Sequence, residues 1–275
     1  MPILNIAALT LREAQRRRLL WIALLMSALF LIVYGLGLYF ITREFQRSNS
    51  PLPAEVPATL ATMGLYVTNF LVVITSVLVS VAAISGEIES HVIDIVVTKP
   101  IYRWQIVLGK WLGIAGMTLL YTLILAGGVM LLVYWRTGFT LEHILPGLSL
   151  LGLNALIMVS LTLAGGTRLS TLANGILAFM LYGVAFVGGW VENIGALLRN
   201  ETAVNLGIVA SLIVPIEALW RKAALLFQPR LLSNMALAGP FAIGSEPSVW
   251  MIVYGGLYLL ACLLYAVRTF ARRNL

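Results

Sequence analysis

The chain has 275 residues, 60% of them hydrophobic and only 11% charged, with a net charge of +7. Soluble domains carry roughly 25% charged residues, so a soluble globular domain is excluded. The apolar runs reach the roughly 20 residues that a helix needs to cross a bilayer, and a spanning segment of that kind has to be a helix to satisfy its own backbone.

A transmembrane β-barrel would alternate polar and apolar residues over strands of about 10 residues, and no such alternation appears. The positive charge reads as the Lys and Arg of membrane-protein loops. No aromatic-interleaved basic stripe suited to stacking bases accompanies it, so no nucleic-acid partner is expected.

In chain order, Ile3 to Arg18 reads as a helix lying on the membrane surface. Ile3, Ile6, Ala7, Thr10 and Ala14 fall at helical spacing, and Arg12, Arg16, Arg17 and Arg18 supply charge for the headgroups. No small-residue cleavage site follows, so a removable signal peptide is not expected. The first span covers about Leu19 to Ile41. A polar loop with Arg43, Glu44, Arg47, Pro51, Pro53 and Pro57 comes next. The second span runs from about Leu60 to Ile84, the third from Trp111 to Tyr134, the fourth from Ile144 to Gly165 and the fifth from Leu172 to Val191. The sixth covers about Val249 to Val267.

Residues 192–248 form a long outer loop whose apolar run, Ala203 to Val214, is short for a span and is broken by Pro215. Whether 203–219 is re-entrant, interfacial or spanning stays open at this point. With six spans and both termini inside, the inner segments hold Arg12, Arg16, Arg17, Arg18, Lys99, Arg103, Lys110, Arg168, Arg268, Arg272 and Arg273, eleven of the 18 basic residues. The positive-inside bias is therefore in the right direction.

Much catalytic chemistry is missing. There is no G-x-x-x-x-G-K-[ST] loop for phosphate. His91 and His143 stand far apart and Cys262 is the one cysteine, so no metal site, disulfide or cofactor is expected. The six predicted spans hold essentially no ionisable residue, which speaks against an ion-coupled carrier. Energy would have to come from another subunit.

The segment Ile84 to Lys110 is the most structured of the loops. Ser85 stands where an N-cap belongs, with Glu87 and Glu89 in the first turn. Ile88, Val92 and Ile95 share one face, Glu87 and Asp94 a neighbouring one, and Pro100 ends the helix. Tyr102, Arg103 and Trp104 suit the headgroup level, and Gly109-Lys110 leads into the third span.

This loop resembles the one after the second span in ABC-2 permeases, the membrane subunits of ATP-binding-cassette type-2 exporters. That pattern runs Gly-Glu-x-Glu-x-Gly-Thr, aliphatic residues, Lys/Arg-Pro, Arg, then Gly-Lys. Gly86, Glu87, Glu89, Lys99, Pro100, Arg103, Gly109 and Lys110 match it; His91 and Val92 depart from it. The stretch Ile213 to Arg221 resembles the branch that includes the nitrous-oxide-reductase maturation permease.

The resemblance implies an all-α membrane protein, one domain over 1–275, with an interfacial elbow helix at 1–18, six transmembrane helices, a cytoplasmic coupling loop at 85–104 and an extracytoplasmic loop at 192–248. It implies a permease without nucleotide chemistry of its own, set in a cell membrane with cytoplasmic termini. Two ATPase subunits would bind ATP and Mg, and a second permease copy would complete the assembly. Gly86, Glu87, Glu89, His91, Asp94, Lys99, Pro100 and Arg103 would couple to the ATPase. The alternative is an anchor or scaffold for maturation of an extracytoplasmic protein. The cargo is not named by any residue. Small residues in the fifth span (Gly175, Gly183, Gly188, Gly189, Ala178 and Ala185) would bring it, with the first span, close to a twofold axis.

Overall fold

The computed structural model describes residues 2–16, 18–48, 52–53, 55–90, 102–228 and 245–273. Among these residues every regular element is a helix. The surface helix is α1 (Pro2–Arg16). The spans are α2 (Arg18–Arg47), α3 (Glu55–Ser80), α5 (Arg103–Thr137), α6 (Ile144–Gly166), α7 (Thr171–Leu197) and α10 (Trp250–Ala271). Between them lie the short α4 (Ser85–Glu89) and the pair α8 (Glu201–Ile213) and α9 (Ile216–Phe227). Among the described residues six helices are long and apolar enough to cross a membrane.

The helices overrun the apolar runs that announce them. α5 starts at Arg103 and takes in Trp104, Gly109 and Lys110; α7 continues through Glu192 to Leu197. Pro57 sits in the first turn of α3, where its missing N–H costs nothing. An apolar run marks only the stretch that meets hydrocarbon, and a helix continues beyond it wherever its polar side chains find partners.

Polar groups join the spans from within. Asn154 Nδ2 on α6 donates to Asn69 Oδ1 on α3 at 3.0 Å, and Trp111 Nε1 on α5 donates to Ser160 Oγ on α6 at 2.8 Å. Such bonds hold helices together where burial of apolar surface drives no association. Buried Leu65, Val73, Leu151, Ile157 and Met158 fill the centre.

The bundle has two distinct ends. At one, called here the basic end, α1 lies across α5. A Cβ on Gly109 would stand 2.7 Å from Ile6 Cβ, and one on Gly113 would stand 2.7 Å from the Ala7 carbonyl oxygen. Only glycine admits α1 at that distance. Ala7, Thr10 and Ala14 are buried by this packing, while Leu4 and Leu9 stay exposed.

At the opposite end α8 folds back along α7. A Cβ on Gly188 would lie 2.2 Å from Ala210 Cβ, and one on Gly207 would lie 2.2 Å from Glu192 Cβ. The chain then turns by 104° at Pro215 into α9, whose Phe227 seats against Gly147 of α6.

α7 ends and α10 begins at this same end, because Tyr254 Oη donates to the Leu212 carbonyl. The segment between them therefore enters and leaves on one side. At 13 and 12 residues and about 1.5 Å per residue, α8 and α9 are each too short for a bilayer core of about 30 Å. Together they make a bent pair of re-entrant shape, leaving and returning at one end of the bundle.

The fifth-span glycines mostly serve contacts inside the chain: Gly175 faces Val81, Gly188 faces Ala210 and Gly189 faces Glu217, while only Gly183 opens onto free space. Ala178 and Ala185 are buried in the chain's own core.

Candidate functional site: the corner between α3 and α5

α3 ends at Ser80, the backbone turns through Val81–Ile84, and α4 begins at Ser85. The sequence predicts Ser85 as an N-cap; the structure places Ile84 there, with no side-chain cap. Ser85 Oγ instead donates to the Val81 carbonyl at 2.7 Å and shares a 2.9 Å hydrogen bond with Thr171 Oγ1. It pins the corner to α7. Glu89, expected to serve its own helix, reaches across to the next one. Its two oxygens accept from the backbone N–H and the hydroxyl of Thr171, each at 2.9 Å, so it caps the start of α7 where helical N–H groups lack partners. The backbone N–H of Thr171, then its hydroxyl, hold the Glu89 carboxyl below the usual carboxylate range.

Glu87 forms an ion pair with Lys110 of α5, which is almost fully buried. Lys110 Nζ also donates to the Ala83 carbonyl at 2.7 Å. Asn174 of α7 closes the corner by donating to the carbonyls of Val81 at 3.2 Å and Thr162 at 2.9 Å. Arg103 Nη1 donates to the Arg273 carbonyl at 2.5 Å, tying the first turn of α5 to the end of α10.

The predicted coupling residues thus divide. Glu87, Glu89 and Arg103 are engaged with other parts of the same chain, and Gly86 lies in the α4 turn beside Ala82. His91, Asp94, Lys99 and Pro100 lie outside the described residues, as does the rest of the helix predicted to end before Pro100. α4 is described to Glu89.

A second polar cluster, at the opposite end, escapes the sequence reading. Arg221 Nη2 of α9 pairs with Glu192 Oε2 of α7 at 2.5 Å, and Ser245 Oγ donates to Glu192 Oε1 at 2.8 Å. Glu192, Glu217 and Arg221 are each 3–4% exposed. Glu217 Oε2 and Arg221 Nε find no partner among the described residues. Around them stand Tyr66, Phe186, Trp190 and Trp220 in mutual ring contact. The helices run past the predicted spans into buried charge: α5 buries Lys110, just before the predicted third span, and α7 buries Glu192, just after the fifth. Buried charge survives only where it is paired, and each of these partners comes from a distant element. The legible signal was Glu217 and Arg221 at i, i+4 inside an apolar stretch.

Among the described residues no group of histidine, cysteine and carboxylate side chains could hold a metal ion. What the corner can do is mechanical. A charged pair and several hydrogen bonds tie the α4 corner to α3, α5 and α7.

No curated protein matches the chain. A family model described as "ABC-2 family transporter protein" matches residues 4–275. A match over that range takes in the α4 corner, every span and the re-entrant pair, and the chain belongs to the ABC-2 family of transporter membrane proteins.

Proposed function

We propose that the chain is the permease subunit of an ATP-driven exporter, moved by a separate ATPase that pushes on the α4 corner. The observation that carries this is the corner itself: Glu87 on Lys110 and Glu89 on Thr171 bind α4 to α5 and α7. In this reading the ATPase meets the segment beyond Glu89, where Asp94 would contact it, and Glu87 and Glu89 pass the motion inward. The basic end faces the cytoplasm, in keeping with its excess of Arg and Lys. Two permease copies and two ATPases make up the assembly, and ATP and Mg belong to the ATPases. The narrower placement beside the nitrous-oxide-reductase maturation permease rests on Ile213 to Arg221. An anchoring role in maturation is the alternative; a gene neighbour for a copper-handling extracytoplasmic protein would favour it.

The test is co-expression with the cognate ABC ATPase, with binding and nucleotide hydrolysis measured in reconstituted membranes. Glu87→Lys should place two cations at one buried point, keep the ATPase bound and abolish the permease's effect on hydrolysis. The exchange Glu87→Lys with Lys110→Glu should restore most of that effect. Asp94→Arg should weaken ATPase binding itself. If Glu87→Lys and Asp94→Arg both behave as wild type, the coupling reading is wrong.

A further inference from the structure

Two cavities meet at the basic end. The first, about 500 Å³, is a cleft between α6, α7 and α10 walled by Leu161, Leu177, Leu181, Tyr258 and Cys262. It occupies the half of these spans nearest the basic end, since α6 ends at Gly166, α7 starts at Thr171 and α10 ends at Ala271. The second, about 540 Å³, lies at the helix ends, walled by Arg168, Arg268, Arg272, Arg273 and Thr269. Arg168 and Tyr265 line both, so the apolar cleft runs into the basic pocket.

Among the described residues no acid lines either cavity. Arg268 and Arg272 stand at i, i+4 on α10, where like charges repel. Arg273 is held by a bond to the Thr167 carbonyl, and the Arg168 guanidinium lies 5.7 Å over the Tyr265 ring. The pocket thus concentrates four guanidinium groups with no acidic side chain beside them among the described residues, and guanidinium forks match phosphate oxygens.

We propose that the joined cavities bind one anionic diacyl phospholipid, its phosphate among Arg168, Arg268 and Arg272 and one acyl chain in the α6–α7–α10 cleft. A free phosphate would use the pocket and leave the cleft empty. An acidic protein segment would have no means of entering a cleft at the depth of the spans. Basic pockets between transmembrane helices commonly recognise anionic headgroups in this manner. The cleft shares Asn174 with the α4 corner, but none of the arginines proposed to hold the phosphate belongs to α4.

The full chain, purified and stripped of lipid, is to be offered dioleoyl phosphatidylglycerol, dioleoyl phosphatidylcholine or inorganic phosphate, with retention read by native mass spectrometry. The expected result is retention of phosphatidylglycerol well above phosphatidylcholine, and none of phosphate. Arg168→Gln with Arg272→Gln should weaken retention by about fivefold per arginine removed. Ala261→Trp fills the cleft, keeps every arginine and should also lose the lipid, so it decides the matter if the arginine variant does not fold. Arg136→Gln, at the opposite end, should retain it. Equal retention of the two lipids, or wild-type retention by Ala261→Trp, overturns the proposal. Phosphate binding that Ala261→Trp leaves intact makes this a simple anion site. Loss of ATPase binding with unchanged lipid retention in the arginine variant makes it a protein contact. Either outcome also overturns the proposal.

Discussion

Glu192 shows how one side chain constrains its surroundings. It is 3% exposed, and its two oxygens are taken by Arg221 and Ser245. Removing one partner of a buried pair leaves the other charge stranded, at a cost of about 3–5 kcal/mol. Arg221→Met should lower the thermal unfolding midpoint of the purified protein sharply. Adding Glu192→Gln should recover much of the loss, because the stranded charge is then gone.

Two glycines give a contrasting pair. Gly207→Ala places its Cβ 2.2 Å from Glu192 Cβ and 2.6 Å from the Gly188 carbonyl oxygen, whereas Gly183→Ala meets nothing within 4 Å. The first should cost about 1–3 kcal/mol as overpacking, and the second should leave the midpoint near wild type. Glu89 sets a pH dependence. Its carboxyl is held below the ordinary range by Thr171, so the stability it adds is present above that range. It is lost as the pH falls through the lowered value. Glu89→Gln should lower stability at neutral pH and leave the acid end of the stability–pH curve little changed, so that its acid limb flattens.

At the scale of elements, hydropathy sufficed for what lipid decides and failed where protein decides. α6 was legible almost to the residue, because Ile144 to Gly166 carries no charge and only a few small polar residues among apolar ones. α7 was not, because nothing near Glu192 in sequence announces that Arg221 will neutralise it. The α1 stripe of Ile6, Ala7, Thr10 and Ala14 was readable from its spacing. Its seat on Gly109 and Gly113 of α5 was not, since a glycine in a motif does not name what it admits. At the α4 corner the motif residues were legible as a set and their partners were not: Lys110 was read as the start of a span and is the counter-ion of Glu87.

For the whole molecule, the decisive geometry is which helix ends lie together. With Cys262 replaced, single cysteines at Glu246 (69% exposed at its side chain) and at Tyr102 (72% exposed) should be labelled from opposite sides of the membrane by an impermeant maleimide. The Glu246 position should react from outside. Labelling of both from one side would overturn the six-span arrangement. A second copy, if it uses α7, meets the outward face of Ile176, Met180, Val184 and Val187 beside Gly183. The other glycines of that span are already committed within the chain. Cross-linking from single cysteines on this face should therefore give dimers where positions 188 and 189 give none.

The re-entrant pair carries a consequence for biogenesis. α8 is held by its fit against α7, with Gly188, Gly195 and Gly207 at the closest approaches, and by a turn too sharp for a straight span. The insertion machinery sorts segments by hydrophobicity as they emerge, and thirteen residues followed by Pro215, Glu217 and Arg221 give it little to hold. α8 and α9 therefore settle last, after α7 is in place, and α10 follows as the piece that locks them through Tyr254 and Leu212. Nascent chains halted before Trp250 should already hold five spans while α8 and α9 remain open to protease. The completed chain should close that window.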